Sequence, residues 1–310
     1  QSAKTVTYQY DNLNRLTREN NEFAGKTWLY FYSGIGNLND VQESVYTQPG
    51  TVPSVRPTVR DHSYDDEVWY DRLSAFNGKT ITYDAIGNPT AIGTANLTWQ
   101  GRSLTQYVDG TDTYSYEYDM SGHRISKTVN GTTTEYFYDG DQLVAQKSGN
   151  DRITFMFDAQ GSAYGFYYNN APYFFIKNIQ GDVVAIYDTE GDIVAKYVYD
   201  AWGNHKIYDA NNNEVTSTTH IGFINPIRYR GYYFDVETNL YYLQTRYYDP
   251  ETGRFLNSDA IEYLAPEQLG IHHIVFVVRD YRGVVNVVKL CVVSKLTAQF
   301  FYFFFYFKYI

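Results

Sequence analysis

The chain has 310 residues, enough for one large or two ordinary domains with a substantial core. Aromatics make up 18% of it, tyrosine alone fills 34 positions, and the lone cysteine, Cys291, excludes a disulfide scaffold and a multi-cysteine zinc site. Residues 271–310 hold five basic residues against one acid, a net of +4, so the total of −10 leaves −14 on residues 1–270, an acidic body that argues against nucleic-acid binding as the main role.

The chain begins at Gln1, and no basic stretch followed by an apolar run stands near its start. We therefore expect a piece of a longer protein. The scarcity of cysteine is compatible with export.

A unit then recurs along the chain: an aromatic–Asp pair, two or three residues, Gly or Asn, and a β-rich run. It stands at Tyr10-Asp11, Tyr64-Asp65, Tyr83-Asp84, Tyr118-Asp119, Tyr138-Asp139, Phe157-Asp158, Lys177-Asn178 and Tyr199-Asp200. From Asp65 to Asp84 is 19 residues, and from Asp119 the steps are 20, 19, 20 and 22. The gap from Asp84 to Asp119 is 35, and Trp99-Gln100 falls where a diverged copy belongs. A regular step of this size predicts a modular array.

One unit shows the local chemistry. Tyr114, Tyr116 and Tyr118 alternate with Ser115, Glu117 and Asp119, the period of a strand. Asp119 starts a turn, since its carboxylate can accept backbone N–H groups just ahead, and Gly122 supplies the positive φ. Ile125 to Val129 is a second strand, and Asn130-Gly131 signals a tight hairpin, as does Asn77-Gly78. Each unit is thus a β-hairpin of roughly 20 residues.

Helix signals are poor throughout, so the prediction is all-β. Residues 41–62 carry three of the eight prolines and no period, which predicts a loop insertion between repeats. Residues 209–220 are polar and predict another loop. A hairpin cannot bury its aromatic face alone. Hairpins stacked side by side can, and the twist of a long sheet then curls the array into a spiral, curved sheet or hollow shell.

Two segments carry a more specific signature: "YFFIKNIQGDVVAIYDTEGDIVAKYVYDAWGNH", residues 173–205, and "PIRYRGYYFDVETNLYYLQTRYYDPETGRFLNSDAIEYLAPE", residues 226–267. With the Tyr-Asp units and "DRLSAFNGKTITYDAIGNPT", residues 71–90, they resemble the RHS/YD-repeat proteins over about residues 5–267. The second segment resembles the RHS-repeat-associated core motif, and "SDAIEYLAPE" is most similar to clostridia-type members. The resemblance implies a fold of tandem hairpins spiralling into a hollow β-shell. It also implies an exported or cell-wall-associated protein of the polymorphic-toxin kind, with the shell enclosing the segment that follows the core. Domain boundaries follow: a YD-repeat shell over 1–225, a core segment over 226–270 and an atypical tail over 271–310.

Paired carboxylates are the one catalytic constellation to weigh, because two close acids can share a proton and activate water. The resemblance implies an aspartyl autoprotease in some members, with an Arg that Arg246 matches and an Asp that Asp259 matches in part, since "Asp259-Ala260-Ile261-Glu262" lacks the Pro and Gly of that run. Tyr247 stands where some active members have Asp, and Asp249 is the possible substitute. The alternative is structural: Asp249-Pro250 begins good turn chemistry, and Arg246 and Arg254 then pair with acids inside the shell. Gly181-Asp182 and Gly191-Asp192 read as turns rather than calcium loops.

The histidines are scattered, with no metal-protease spacing, nucleophile elbow or phosphate loop, so no cofactor or metal is expected. The tyrosine ladder reads first as a packed face, with glycan binding on exposed rungs as the alternative. Lys289 and Lys295 interrupt any membrane span in the tail, which reads as degenerate or frame-shifted. The expected role is encapsulation, presentation or delivery of a C-terminal toxin-like cargo. The alternatives are an autoprotease releasing that cargo and a surface adhesin binding glycans. The expected partners are the cargo, an immunity protein or secretion machinery, and a cell-surface glycan, at a secreted or cell-wall location.

Overall fold

The computed structural model describes residues 4–67, 69–258, 271–279, 285–294 and 301–302. The chain divides into two compact units, one of residues 1–63 with 74–258, the other of residues 64–73 with 259–310. In the second, three strands, Ile271–Arg279, Val285–Ser294 and Phe301–Tyr302, form an antiparallel sheet of their own. Among the described residues, no helix is long and apolar enough to cross a membrane.

The first unit is built on twenty antiparallel strands, from β1 (Val6–Tyr10) to β20 (His205–Tyr208), each paired with the next. The sheet is curved and unclosed. Its hairpins follow from the repeat. Asp119 Oδ1 accepts the N–H groups of Ser121 and His123, both at 2.9 Å. Asn178 and Asp200 do the same two and four residues on. The side chain takes the place of missing ladder bonds and fixes the turn. Asn130 and Gly131 have φ of 47° and 87°, the left-handed pair that the twist of a two-residue hairpin demands. At Trp99-Gln100, strand β9 (Ala95–Gln100) ends and the chain turns into β10 (Ser103–Asp109).

Alternation puts one side chain in two on the packed face. Tyr114, Tyr116, Tyr136, Ile153, Phe155, Phe166, Phe175, Ile186 and Tyr197 are buried there in one continuous cluster. Aromatic rings dominate because they fit the half-buried surface of a pleated sheet and bury a large area each.

One expectation needs correction. The segment 41–62 is not wholly a loop: β4 (Leu38–Val45) and β5 (Thr58–Ser63) pair across it, with Asp40 opposite Asp61. The prolines occupy only the connection, where a ring without an N–H costs no ladder bond. Tyr64-Asp65 follows β5 directly, and the connection it opens is longer than in the other units, returning at β6 (Ala75–Phe76), which pairs antiparallel with β5.

After β20 the chain makes one helical turn, α1 (Ile221–Ile224), and then four short strands: β21 (Tyr233–Asp235), β22 (Leu240–Tyr242), β23 (Tyr247–Asp249) and β24 (Arg254–Phe255). They form a separate small sheet. Tyr233, Leu240, Tyr242 and Tyr247 join the packed cluster of the large sheet. The alternate residues, Phe234, Tyr241 and Tyr248, form a second cluster on the other side. The small sheet is thus buried on both faces and packs against the large one.

Candidate functional site

The small sheet is held to the wall by charge as well as by rings. Arg124 starts β12 (Arg124–Val129) and is fully buried, as is Asp235 at the end of β21. The guanidinium donates two parallel bonds to the carboxylate, Nη1 to Oδ2 at 2.6 Å and Nη2 to Oδ1 at 2.9 Å. Lys127 Nζ donates to Asp235 Oδ1 at 2.8 Å and lies 2.7 Å from Glu237 Oε1. Two cations meet two anions, so the cluster is neutral.

Rings close around it. The Arg124 guanidinium carbon lies 4.2 Å from the Tyr242 ring centre, 4.9 Å from Tyr136, 5.2 Å from Tyr233 and 5.4 Å from Tyr116. Their negative faces favour a desolvated cation. The Tyr242 hydroxyl accepts the Arg124 backbone N–H at 2.9 Å. Burial alone would raise the Asp235 pKa, but Arg124 and Lys127 outweigh it and hold the carboxyl below its usual 3.8.

Among the described residues, a second buried arginine works without an acid. Arg228 donates from Nε to Asn225 O at 3.1 Å and from Nη2 to Phe223 O at 3.0 Å, and its Nη1 lies 2.6 Å from His205 Nε2. An arginine has no acceptor, so His205 Nε2 must be unprotonated and the ring proton sits on Nδ1, 3.2 Å from the Tyr241 hydroxyl. Burial first, and the Arg228 charge second, keep the His205 pKa well below 6.5, so the ring stays neutral.

Arg124 and His205 share one place in the repeat. Five residues past the turn aspartate, the chain pairs with the aromatic residue that precedes that aspartate. The pairs are Tyr10 with Leu16, Tyr83 with Pro89, Phe157 with Ala163, Tyr118 with Arg124 and Tyr199 with His205. Most copies put an apolar residue there. The two that do not are the two that grip the small sheet.

The residues singled out from sequence fall differently. Arg246 lays its guanidinium over the Phe255 ring, 3.7 Å from its centre, on the side of β23 where Tyr248 also meets Phe255. Asp249, one residue past Tyr248, points to the other side by strand alternation. Its Oδ1 accepts the Glu251 N–H at 2.9 Å, as a turn aspartate does, and burial pushes its pKa up to about 6. Asp259 lies outside the described residues. The turn after Asp249 is anchored: Asn204 Nδ2 donates to Pro250 O at 2.6 Å, and Thr252 O meets His62 Nε2 at 3.1 Å. At the end of the segment, Arg102 Nη1 holds Ser258 through its carbonyl and its hydroxyl, both at 2.7 Å.

Between the small sheet and the wall an open crevice of about 810 Å³ remains. Phe155, Phe157, Tyr233 and Tyr242 give it apolar sides, and Lys177 and Arg230 reach its rim. Lys177 Nζ donates to Ser162 Oγ at 3.0 Å, and burial lowers the lysine's pKa.

The family described as Teneurin YD-shell matches residues 1–269. The tRNA3(Ser)-specific nuclease WapA of Bacillus spizizenii is 36% identical over 258 residues, which cover 81% of this chain and 10% of that protein. The tRNA nuclease WapA of Bacillus subtilis matches to the same extent, 36% over 258 residues. The chain therefore spans about a tenth of the length of these relatives. Among solved structures, that of TcdB2-TccC3-Cdc42 superposes with a TM-score of 0.64 at 22% identity, covering 84% of this chain and 14% of that one.

Proposed function

Since the chain belongs to the Teneurin YD-shell family, we propose that it is a section of shell wall whose role is to house a C-terminal toxin-like cargo. One observation carries this reading: the core segment is clamped onto the packed face of the hairpin sheet by a neutral charge cluster whose Arg124–Asp235 pair is fully buried. An inner strap of this kind fixes where the following segment departs, and Arg102 holds the chain there at Ser258. The wall then spans residues 1–225, the strap 226–270, and export to the cell exterior or surface accompanies the role.

The test is protease access to a reporter domain appended after Ile310. The reading expects slower cleavage of the reporter on the chain than of the free reporter, and loss of that protection in Arg124→Ala. Equal rates on the chain and free would overturn it.

Self-cleavage near Asp259 is a second reading, favoured by one feature. Burial raises the Asp249 pKa to about 6, the direction a general acid needs. Arg246 then orients the scissile region and Asp259 is the second carboxyl. Intact mass after long incubation tests this beside Asp249→Asn and Asp259→Asn. Scission in the parent alone supports it, and an uncut parent refutes it.

A further inference from the structure

Strand β2 (Leu16–Asn21) ends in Arg-Glu-Asn-Asn, and all four of these polar residues are buried. A strand polar on both faces must satisfy both. Arg18 and Asn20 serve the loop after β4. Arg18 Nη2 donates to Thr47 Oγ1 at 2.8 Å and to Thr51 O at 2.7 Å, and Asn20 Nδ2 donates to Thr47 O at 2.6 Å. Glu19 and Asn21 face the other way and reach the turn between β19 (Ile193–Tyr199) and β20. Asn21 Nδ2 donates to Tyr199 O at 2.9 Å, and the Ala201 N–H donates to Glu19 Oε2 at 2.8 Å. An Arg60–Asp200 ion pair and an edge contact of Trp202 with Tyr30, 6.2 Å between centres, complete the seam. Among the described residues no strand pairing crosses it. Side chains alone join the first strands to this turn.

Glu19 is the odd member. Three donors reach its carboxyl: Ala201 N–H, Asn21 Nδ2 at 3.0 Å and the Tyr30 hydroxyl at 3.1 Å. Among the described residues it has no ion pair. Arg60, on β5, is bound to Asp200, and Arg18 lies on the opposite face of β2. The titratable groups around Glu19 are Tyr8 from β1, Tyr30 from β3 (Lys26–Tyr32) and Asp200 from the turn. The ionised form would place two carboxylates and one guanidinium in a dry pocket.

We propose that Glu19 is a proton-operated latch: neutral, it holds β2 against the Tyr199–Ala201 backbone, and ionised beside Asp200 it releases that contact. The neutral acid keeps the bonds from Asn21 and Ala201 and donates its own proton to the Tyr30 oxygen, whose hydroxyl turns away. Ionisation adds a buried charge beside Asp200 that three neutral donors compensate only in part, so water enters and the seam parts. The direction follows from burial first and the Asp200 charge second, which push the Glu19 pKa up from 4.5 to about 7. The closed seam binds the proton more tightly than the open one, so closure weakens as pH rises from 4.5 through about 7.

Hydrogen exchange read by mass spectrometry tests the latch on the whole chain. The protection of residues 198–204, corrected for the intrinsic rate, should fall about tenfold or more between about pH 6 and about pH 8.5. Residues 132–157 serve as the internal reference and should hold theirs. Glu19→Gln should keep the acid-side protection at both pH values. A flat wild-type profile, or a Gln variant with the wild-type pH dependence, overturns the proposal. If Glu19→Gln does not fold, Tyr30→Phe decides: it removes a donor to the carboxylate and should move the midpoint to higher pH. An unmoved midpoint overturns the proposal.

Discussion

Asp235 and Glu19 are both fully buried carboxyls that join segments far apart in the chain, yet burial leaves them in opposite states. Asp235 has a bidentate arginine and a lysine, and its pKa lies below 3.8. Glu19 has three neutral donors and a neighbouring carboxylate, and its pKa rises to about 7. Depth of burial is equal, so the counter-charge decides. One junction is a permanent charged lock, and the other is a contact that depends on a proton.

The largest way to break the contrast is to remove the cation. Arg124→Ala leaves Asp235 buried with Lys127 alone and empties the ring cage, and should cost about 3–5 kcal/mol in urea unfolding. Lys127→Met removes the weaker partner and should cost about 1.5–3 kcal/mol by the same measurement.

The pH dependences should have opposite signs. The stability that Asp235 contributes is present above pH 3.8 and is lost as pH falls through its lower folded pKa. The contribution of Glu19 is fullest below 4.5 and is lost as pH rises through about 7. Glu19→Gln should therefore unfold at higher urea than the parent at about pH 8. The gain, about 2–3 kcal/mol at that pH, should shrink to under about 1 kcal/mol near pH 5. Asn130→Ala touches neither junction. It forces a left-handed φ of 47° on alanine and should cost about 1 kcal/mol at every pH, a baseline for the other variants.

The hairpin array was legible because its determinants are local. Tyr-Asp, the Gly near the turn's end and Asn130-Gly131 each act within a few residues, and the structure uses each as its chemistry requires. Segment 41–62 was misread because "LNDVQESV" and "TVRDHS" are polar and become strands by pairing, the first with β3 and with the second across a proline-containing connection, the second also with β6. The core segment was recognisable, but its working acid was not. Asp235 meets Arg124 across 111 residues, and no spacing encodes that contact. A fainter signal was present in the repeat itself: Arg124 and His205 break an otherwise apolar position, and a polar residue on a packed face needs a partner. Asp249 was weighed for its place in a run that also makes a turn, and its Glu251 bond is that turn.

The central claim is that the core segment and the wall are one body, joined through Arg124 and Asp235. A double-mutant cycle with Arg124→Met, Asp235→Leu and the pair, read by chemical denaturation, tests it most directly. Each single change should cost about 3–5 kcal/mol by stranding a buried charge, and the pair should recover most of that loss. Costs that simply add in the double variant would show that the two side chains act independently, and would contradict the account.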